Sequence, residues 1–161
     1  MFTKLRGDKM AFFWTVVRLY LGWQWLEAGW NKVTGDFDAT GFLKGAIAKT
    51  TGDHLVQRWY GAFLDGFALP NVDLFNFLVP WGELFVGLGL IIGAFTTVAL
   101  YAGAIMNLAF LLAGAVSINP ILYTLAIILL AVSPGSFRYG VDYYLFPKLR
   151  EFLKKDESVS A

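Results

Sequence analysis

The chain contains no cysteine and a single histidine, His54. Without thiols there is no disulfide, no iron–sulfur ligation, no lipoprotein anchor, and no thiol or persulfide chemistry carried by this chain alone. One imidazole cannot make a protein-only zinc site or a bis-histidine haem, so no metal site is expected and His54 reads as a loop residue. Charge is scarce too. Asp, Glu, Lys and Arg make up 16% of 161 residues and the net charge is +1, against about 25% charged residues in a soluble domain. No basic stripe is present to neutralise phosphates, which argues against a nucleic-acid partner. What fills the chain instead is apolar: 57% hydrophobic residues, 17% aromatic, and a mean hydropathy of +0.58. This is the composition of an integral membrane protein whose first partner is the lipid bilayer.

Four apolar blocks predict spans at about 11–33, 74–93, 96–116 and 118–133. The first, AFFWTVVRLYLGWQWLEAGWNKV, follows Lys4, Arg6 and Lys9 as a signal peptide would. Its apolar stretch is too long for one, however, and no small-x-small cleavage site follows. In the fourth, Asn119 is expected to cap the helix, with Pro120 at its first position. Basic residues cluster before the first span and, as Arg138, Lys148, Arg150, Lys154 and Lys155, after the last. Four spans bring both clusters to one side, which the positive-inside rule makes cytoplasmic. Residues 34–73 then form one external loop, and 148–161 a basic cytoplasmic tail after a single domain of 1–147. The very short links near Ala94-Phe95 and Ser117-Ile118 force antiparallel neighbours. The expected fold is therefore an all-α membrane protein: an antiparallel four-helix transmembrane bundle with interfacial helices in the external loop and the tail. In that loop Asp38 or Thr40, and then Asp53, stand where helix caps belong.

The polar residues inside the spans carry the functional question, since each costs roughly 2.5–3.5 kcal/mol on insertion scales. Arg18, Gly22, Trp25, Gly29 and Lys32 recur at steps of four, three, four and three, which places both cations on one helix face with glycines between them. Glu27 lies on roughly the opposite face, near Tyr20, Trp23 and Asn31. Glu83 sits deep in the second span, three residues after Pro80. Counted along antiparallel helices it differs from Arg18 in depth by about 6 Å, a gap an arginine can bridge. The expectation is that Arg18 holds Glu83, with Asn107 as a neutral partner and a kink at Pro80 beside them. A structural ion pair that fixes helix order is the plainer reading of the same residues. Glu27, Asn31 and Lys32 form either an external entrance or an ordinary interfacial anchor. Asp142 reads as a helix cap or as the partner of Arg138. Gly89 with Gly93, and Ala99 with Gly103, suit close helix packing.

Taken in order, the arginine in the first helix, then GWNKV, WYGAFLDGFALPN, LVPWGELFVGLGLIIGAFT and SPGSFRYGVD, resemble the DoxX family, and within it the branch near DoxD. The resemblance runs from about Arg18 to Asp142. It implies a four-helix membrane protein that passes electrons from thiosulfate to a membrane quinone together with a second oxidoreductase subunit. Carried over by position, Arg18, Lys32, Glu83 and Asp142 match polar positions of the family pattern. On this expectation Arg18, Glu83 and Asn107 are the catalytic candidates. Lys32, Glu27, Asn31, Trp25 and Trp81 would bind ligand, the tryptophans by stacking on a quinone. Asp142, Arg138 and Pro80 would be structural. No cofactor is encoded by motif, and membrane quinone would be the electron acceptor. Two other classes stay open: a non-catalytic binding or assembly partner, and a small-solute or lipid carrier. Four spans enclose little volume, so a ligand site between protomers of a homo-oligomer is also open.

Overall fold

A computed structural model describes residues 8–52, 54–132, 139–145 and 147–148. They include six α-helices and one π-helical segment, residues 141–145 and 147–148 are also helical, and there is no strand among the described residues. Helix α1 is Asp8–Thr34, a stretch free of proline. Helix α2 is Thr40–Ala48, introduced by Asp38, whose carboxylate accepts the Thr40 backbone N–H at 2.9 Å and its hydroxyl at 2.7 Å. These two donors hold the Asp38 carboxyl below its ordinary pKa. Asp53, the other expected cap of this region, lies outside the described residues. Helix α3, Arg58–Phe63, runs into a π-helical segment at Leu64–Ala68, where Leu69 N–H reaches the Leu64 carbonyl at 2.8 Å.

Three apolar helices follow. Helix α4, Val72–Ile92, continues through Pro80 and stops at Gly93, which adopts the left-handed conformation at φ +70°. Helix α5, Thr96–Leu112, ends sooner than the expected 116. Gly114 is left-handed at φ +74°, and the N–H groups of Gly114 and Ala115 close onto the carbonyls of Leu111 and Phe110, the two-bond stop of a Schellman motif. Helix α6 is Asn119–Val132. The Asn119 amide turns back to the Ala115 carbonyl at 2.8 Å, so it secures the α5–α6 link and is not the expected cap of its own helix.

Helices α1, α4, α5 and α6 pack in a closed ring, each against the next, with α6 returning to α1. Their shared core holds Trp14, Leu21, Trp25, Leu90, Leu100 and Leu129. Helices α2 and α3 and the π segment form a cap with its own core, in which Leu43, Val56, Tyr60 and Leu64 gather against Ala113 at the end of α5. The outside of the ring is apolar, with Phe12, Phe77, Phe85, Val98, Ile105 and Ile121 all exposed. An apolar surface of this extent marks contact with a membrane or another protein. Helix α4 is long and apolar enough to cross a membrane, while α5 and α6 are shorter apolar helices.

The tightest seam joins α1 to α4. A methyl group built at Gly29 would overlap the Leu84 backbone nitrogen and stand 2.8 Å from its Cα. One built at Gly87 would overlap the Leu26 nitrogen and stand 2.6 Å from its Cα. Gly22 faces Leu90 and Ile91 in the same way, and Gly93 faces Arg18. The two backbones therefore touch at pairs that descend on one helix as they climb on the other, which fixes an antiparallel register. Overpacking a well-filled seam costs about 1–3 kcal/mol. Gly29→Ala and Gly87→Ala should each lower the melting temperature in detergent. Gly41→Ala, where a methyl would meet nothing within 4 Å, should leave it unchanged or raise it.

Candidate functional site

Glu83 is buried, with 3% of its side chain exposed, and the Lys32 ammonium donates to its Oε2 at 2.7 Å. Lys32 is 28% exposed and also lies 5.7 Å from the centre of the Phe37 ring, within cation–π range. The carboxylate is thus joined to the rim of the ring of helices through an amine that reaches the surface. This corrects the expected pairing. In the seam Glu83 and Leu84 lie level with Gly29, whereas Arg18 lies level with Gly93. Eleven residues separate Arg18 from Gly29, about 16 Å along the helix axis and far more than the expected offset. The periodicity of α1 placed Arg18 and Lys32 on one face, and the register gives the acid to Lys32.

Arg18 belongs to a second polar cluster at the opposite end of the seam. It is 1% exposed, and its Nη2 donates to the Tyr139 carbonyl at 2.6 Å. Its charge also acts on Asp142. Asp142 is buried, and its carboxylate accepts the N–H groups of Phe95 at 2.8 Å and Thr96 at 2.7 Å, the first donors of α5. The Asp142 N–H returns to the Gly93 carbonyl at 2.8 Å. Asp142 is therefore a helix cap, as one expected reading had it, although it caps a helix remote in sequence. Its cap also holds Phe95, a non-glycine residue at φ 51°, in a conformation that costs free energy. Arg138, the other expected partner of Asp142, lies outside the described residues. Arg18 sits in this knot, and its environment is that of a structural clamp.

Between the two ends lie polar side chains whose hydrogen-bonding capacity is unused. Asn107 is fully buried, and among the described residues neither its amide nitrogen nor its amide oxygen has a partner. Trp25 is 2% exposed and its Nε1–H is likewise unpartnered. A methyl at Gly103 would stand 3.2 Å from that nitrogen, and Asn107 follows Gly103 by one turn on the same face of α5. Met106 faces Gly82 across the α4–α5 contact, so Asn107 lies at the depth of Glu83 to within a turn. Leaving a buried polar group unpaired costs about 1–3 kcal/mol, so three such atoms in one region suit an unmade contact.

The remaining candidates lie elsewhere. Trp81 is exposed on the outside of α4, in a column with Phe77 and Phe85 at ring distances of 6.2 and 5.8 Å. It does not share the interior with Trp25. Pro80 is buried within α4, and Asn31 is exposed near the end of α1. Glu27 faces outward in a groove between α1 and α4. Sequence reasoning missed two ties at the far end of α5. The Lys49 ammonium donates to the Gly114 carbonyl at 3.1 Å, where a cation complements the helix dipole. The Tyr60 hydroxyl donates to the Ala109 carbonyl at 2.9 Å, and burial raises its pKa, which keeps it a protonated donor. The aromatic helical spacing of Tyr60 in the loop was the available signal for the second.

A protein-family model, DoxX, matches residues 13–117. The chain belongs to the DoxX family. As a DoxX protein it is a membrane-associated protein, in agreement with its apolar outer surface. The DoxX match takes in Arg18, Lys32, Glu83, Trp25 and Asn107, and it ends before the segment that supplies Tyr139 and Asp142. No curated protein matches the chain, and no solved structure does.

Two measurements test this geometry. A double-mutant cycle of Lys32→Met with Glu83→Gln should show a coupling of about 1.5–3 kcal/mol. The cycle of Arg18→Met with Glu83→Gln should stay within about 0.5 kcal/mol, as for distant sites. Separately, Asp142→Ala should destabilise the fold by about 2 kcal/mol or more, a helix cap and a buried charge partner being lost together, read as a fall in melting temperature.

Proposed function

We propose that this DoxX protein is a multi-pass membrane subunit of a quinone-linked oxidoreductase, with both termini cytoplasmic and with Lys32–Glu83 as its proton-handling pair. The observation that carries this reading is a buried carboxylate linked to the surface by one amine, within a turn of the depth of Asn107, whose amide, like the Trp25 N–H, is unpartnered among the described residues. A quinone taking up two electrons also takes up two protons at its oxygens. It therefore needs hydrogen-bond donors at a carbonyl and a group that delivers protons from water. The Trp25 N–H and the Asn107 amide are donors of that kind. Glu83 and Lys32 would hand on the proton, with Lys32 touching solvent. Electrons would come from thiosulfate or a related sulfur compound through a second subunit, since the chain has no thiol of its own. Arg18 is not assigned to the chemistry, because its hydrogen bond to the Tyr139 carbonyl and the Asp142 charge both place it in the clamp.

A second reading, a non-catalytic assembly partner, is favoured by the cap. Trp59, Phe63 and Phe67 are exposed there, with Phe63 and Phe67 stacked at 5.5 Å, as a docking face would be. The two readings separate in one assay: thiosulfate-dependent reduction of a quinone analogue by the protein in lipid, followed by absorbance, with and without membrane extract as a source of the partner. Glu83→Gln should lower the rate by about 100-fold or more, the scale of general acid–base catalysis, while the melting temperature moves by only a few degrees. No quinone reduction by the unaltered protein under either condition, together with a large loss of stability in Glu83→Gln, would give the chain to the assembly reading.

A further inference from the structure

Lys32 carries its ammonium on a flexible four-carbon stem, and 28% of the side chain is exposed, so it is free to leave Glu83 for water. Keeping so long a side chain in one place costs conformational entropy that the charge alone does not always offset. The link between α1 and α2, residues 35–39, adds a second hold. Phe37 stands in that link, and the Lys32 Nζ lies over its ring, 5.7 Å from the centre. The position of the ring is fixed from three sides. At the start of the link the Gly35 N–H closes onto the Asn31 carbonyl at 3.1 Å. At its end the Ala39 N–H donates to the Asn76 Oδ1 at 2.8 Å, and the Asn76 Nδ2 donates to the Asp38 Oδ1 at 3.4 Å. Phe37 itself packs against the cap core that contains Ala39 and Leu43. Asn76 precedes Glu83 by seven residues on α4, two turns along the same face and about 10 Å along the axis. One face of α4 thus carries the buried acid and the anchor of the link that holds its partner.

We propose that Phe37 and Asn76 are positioning residues for the Lys32–Glu83 pair: Phe37 holds the ammonium on the carboxylate, and Asn76 holds Phe37 in place through the link. Among the described residues neither forms a hydrogen bond with Glu83, so both act through Lys32. The functional meaning of this inference rests on the proton-handling reading of the pair. An ammonium kept at 2.7 Å from the carboxylate passes a proton without first having to find it. The same ring touches the cap core, so the cap reaches the buried acid through one side chain.

Acetylation of the full chain in lipid by a water-soluble N-hydroxysuccinimide ester, followed lysine by lysine with mass spectrometry, tests the positioning. Only an unpaired, deprotonated amine attacks the ester, so a Lys32 held on Glu83 reacts slowly. Phe37→Leu keeps an apolar side chain but removes the π face, and Lys32 should then react about two- to fivefold faster, the ratio expected for an exposed cation–π contact. Phe37→Trp should react no faster than the unaltered protein, since indole offers the stronger π face. Asn76→Leu should raise the rate by a similar factor to Phe37→Leu, and the two together should raise it no further, because they act through one ring. Lys49, which ties the cap to α5, should keep its rate in every variant. An unchanged Lys32 rate in Phe37→Leu or in Asn76→Leu overturns the proposal, and so does a Phe37→Trp as fast as Phe37→Leu. Full additivity of the two changes overturns the route from Asn76 through Phe37. Lys49 accelerating in step with Lys32 also overturns it, since both residues would then only support docking of the cap. Faster Lys32 acetylation in the variants, with no quinone reduction by the unaltered protein, upholds the positioning and removes the proton-handling reading.

Discussion

Where two helix backbones touch, their relative height is no longer adjustable. Gly29 against Leu84 and Gly87 against Leu26 bring α1 and α4 closer than any side chain would permit. A shift by one residue along this seam would put a side chain where there is room only for hydrogen. The partners of the buried charges follow from that register. Lys32 arrives at the height of Glu83, Arg18 arrives beside Gly93, and the interval between them is left to Trp25 and the small residues that accommodate it. The glycines take no part in any ion pair, yet they decide which ion pairs exist.

Helix α5 is held by a related economy. Its first N–H groups meet the Asp142 carboxylate, and its last carbonyls meet Lys49 and Tyr60. A carboxylate at the positive end and an ammonium at the negative end both complement the helix dipole, and each satisfies groups that the helix cannot satisfy itself. The ring of helices therefore carries its charged fittings at the two ends, with Asn107 and Trp25 as the unsatisfied interior. The clamp around Arg18 has its acceptors, a backbone carbonyl and a carboxylate, in use, although the Thr96 hydroxyl beside them is unpartnered among the described residues, as are Asn107 and the Trp25 N–H.

Much of this was legible from the residues. Helical periodicity identified the face that carries Arg18, Gly22, Trp25, Gly29 and Lys32, and it set Glu27 apart on the other side. The cost of burying charge singled out Glu83, and a cap was one of two readings of Asp142, beside a pair with Arg138. The pairings were not legible, because they depend on the height of one helix against another. Periodicity within a helix carries no information about that height, and counting from approximate span ends misplaced Arg18 by about two turns. Trp81 failed for a related reason: its distance from Glu83 in sequence is short, but it points out of the ring beside Phe77 and Phe85. The early end of α5 shows the limit at a smaller scale, since Gly114 punctuates an apolar run whose hydropathy continues past it.

The hydrogen bond from Arg18 to Tyr139 spans 121 residues of sequence. Tyr139 is made 121 residues after Arg18, so at about 5–20 residues per second Arg18 waits roughly 6–24 s on the ribosome's clock before the clamp can close. During that interval the glycine seam can already form, because Gly93 is complete well before Tyr139, and it presents the arginine at the place its partners will occupy. The segment that carries Tyr139 and Asp142 thus works as a latch. A chain cut short before Tyr139 would leave α1 without that acceptor and α5 with an open first turn, a state that quality-control proteases are well placed to recognise.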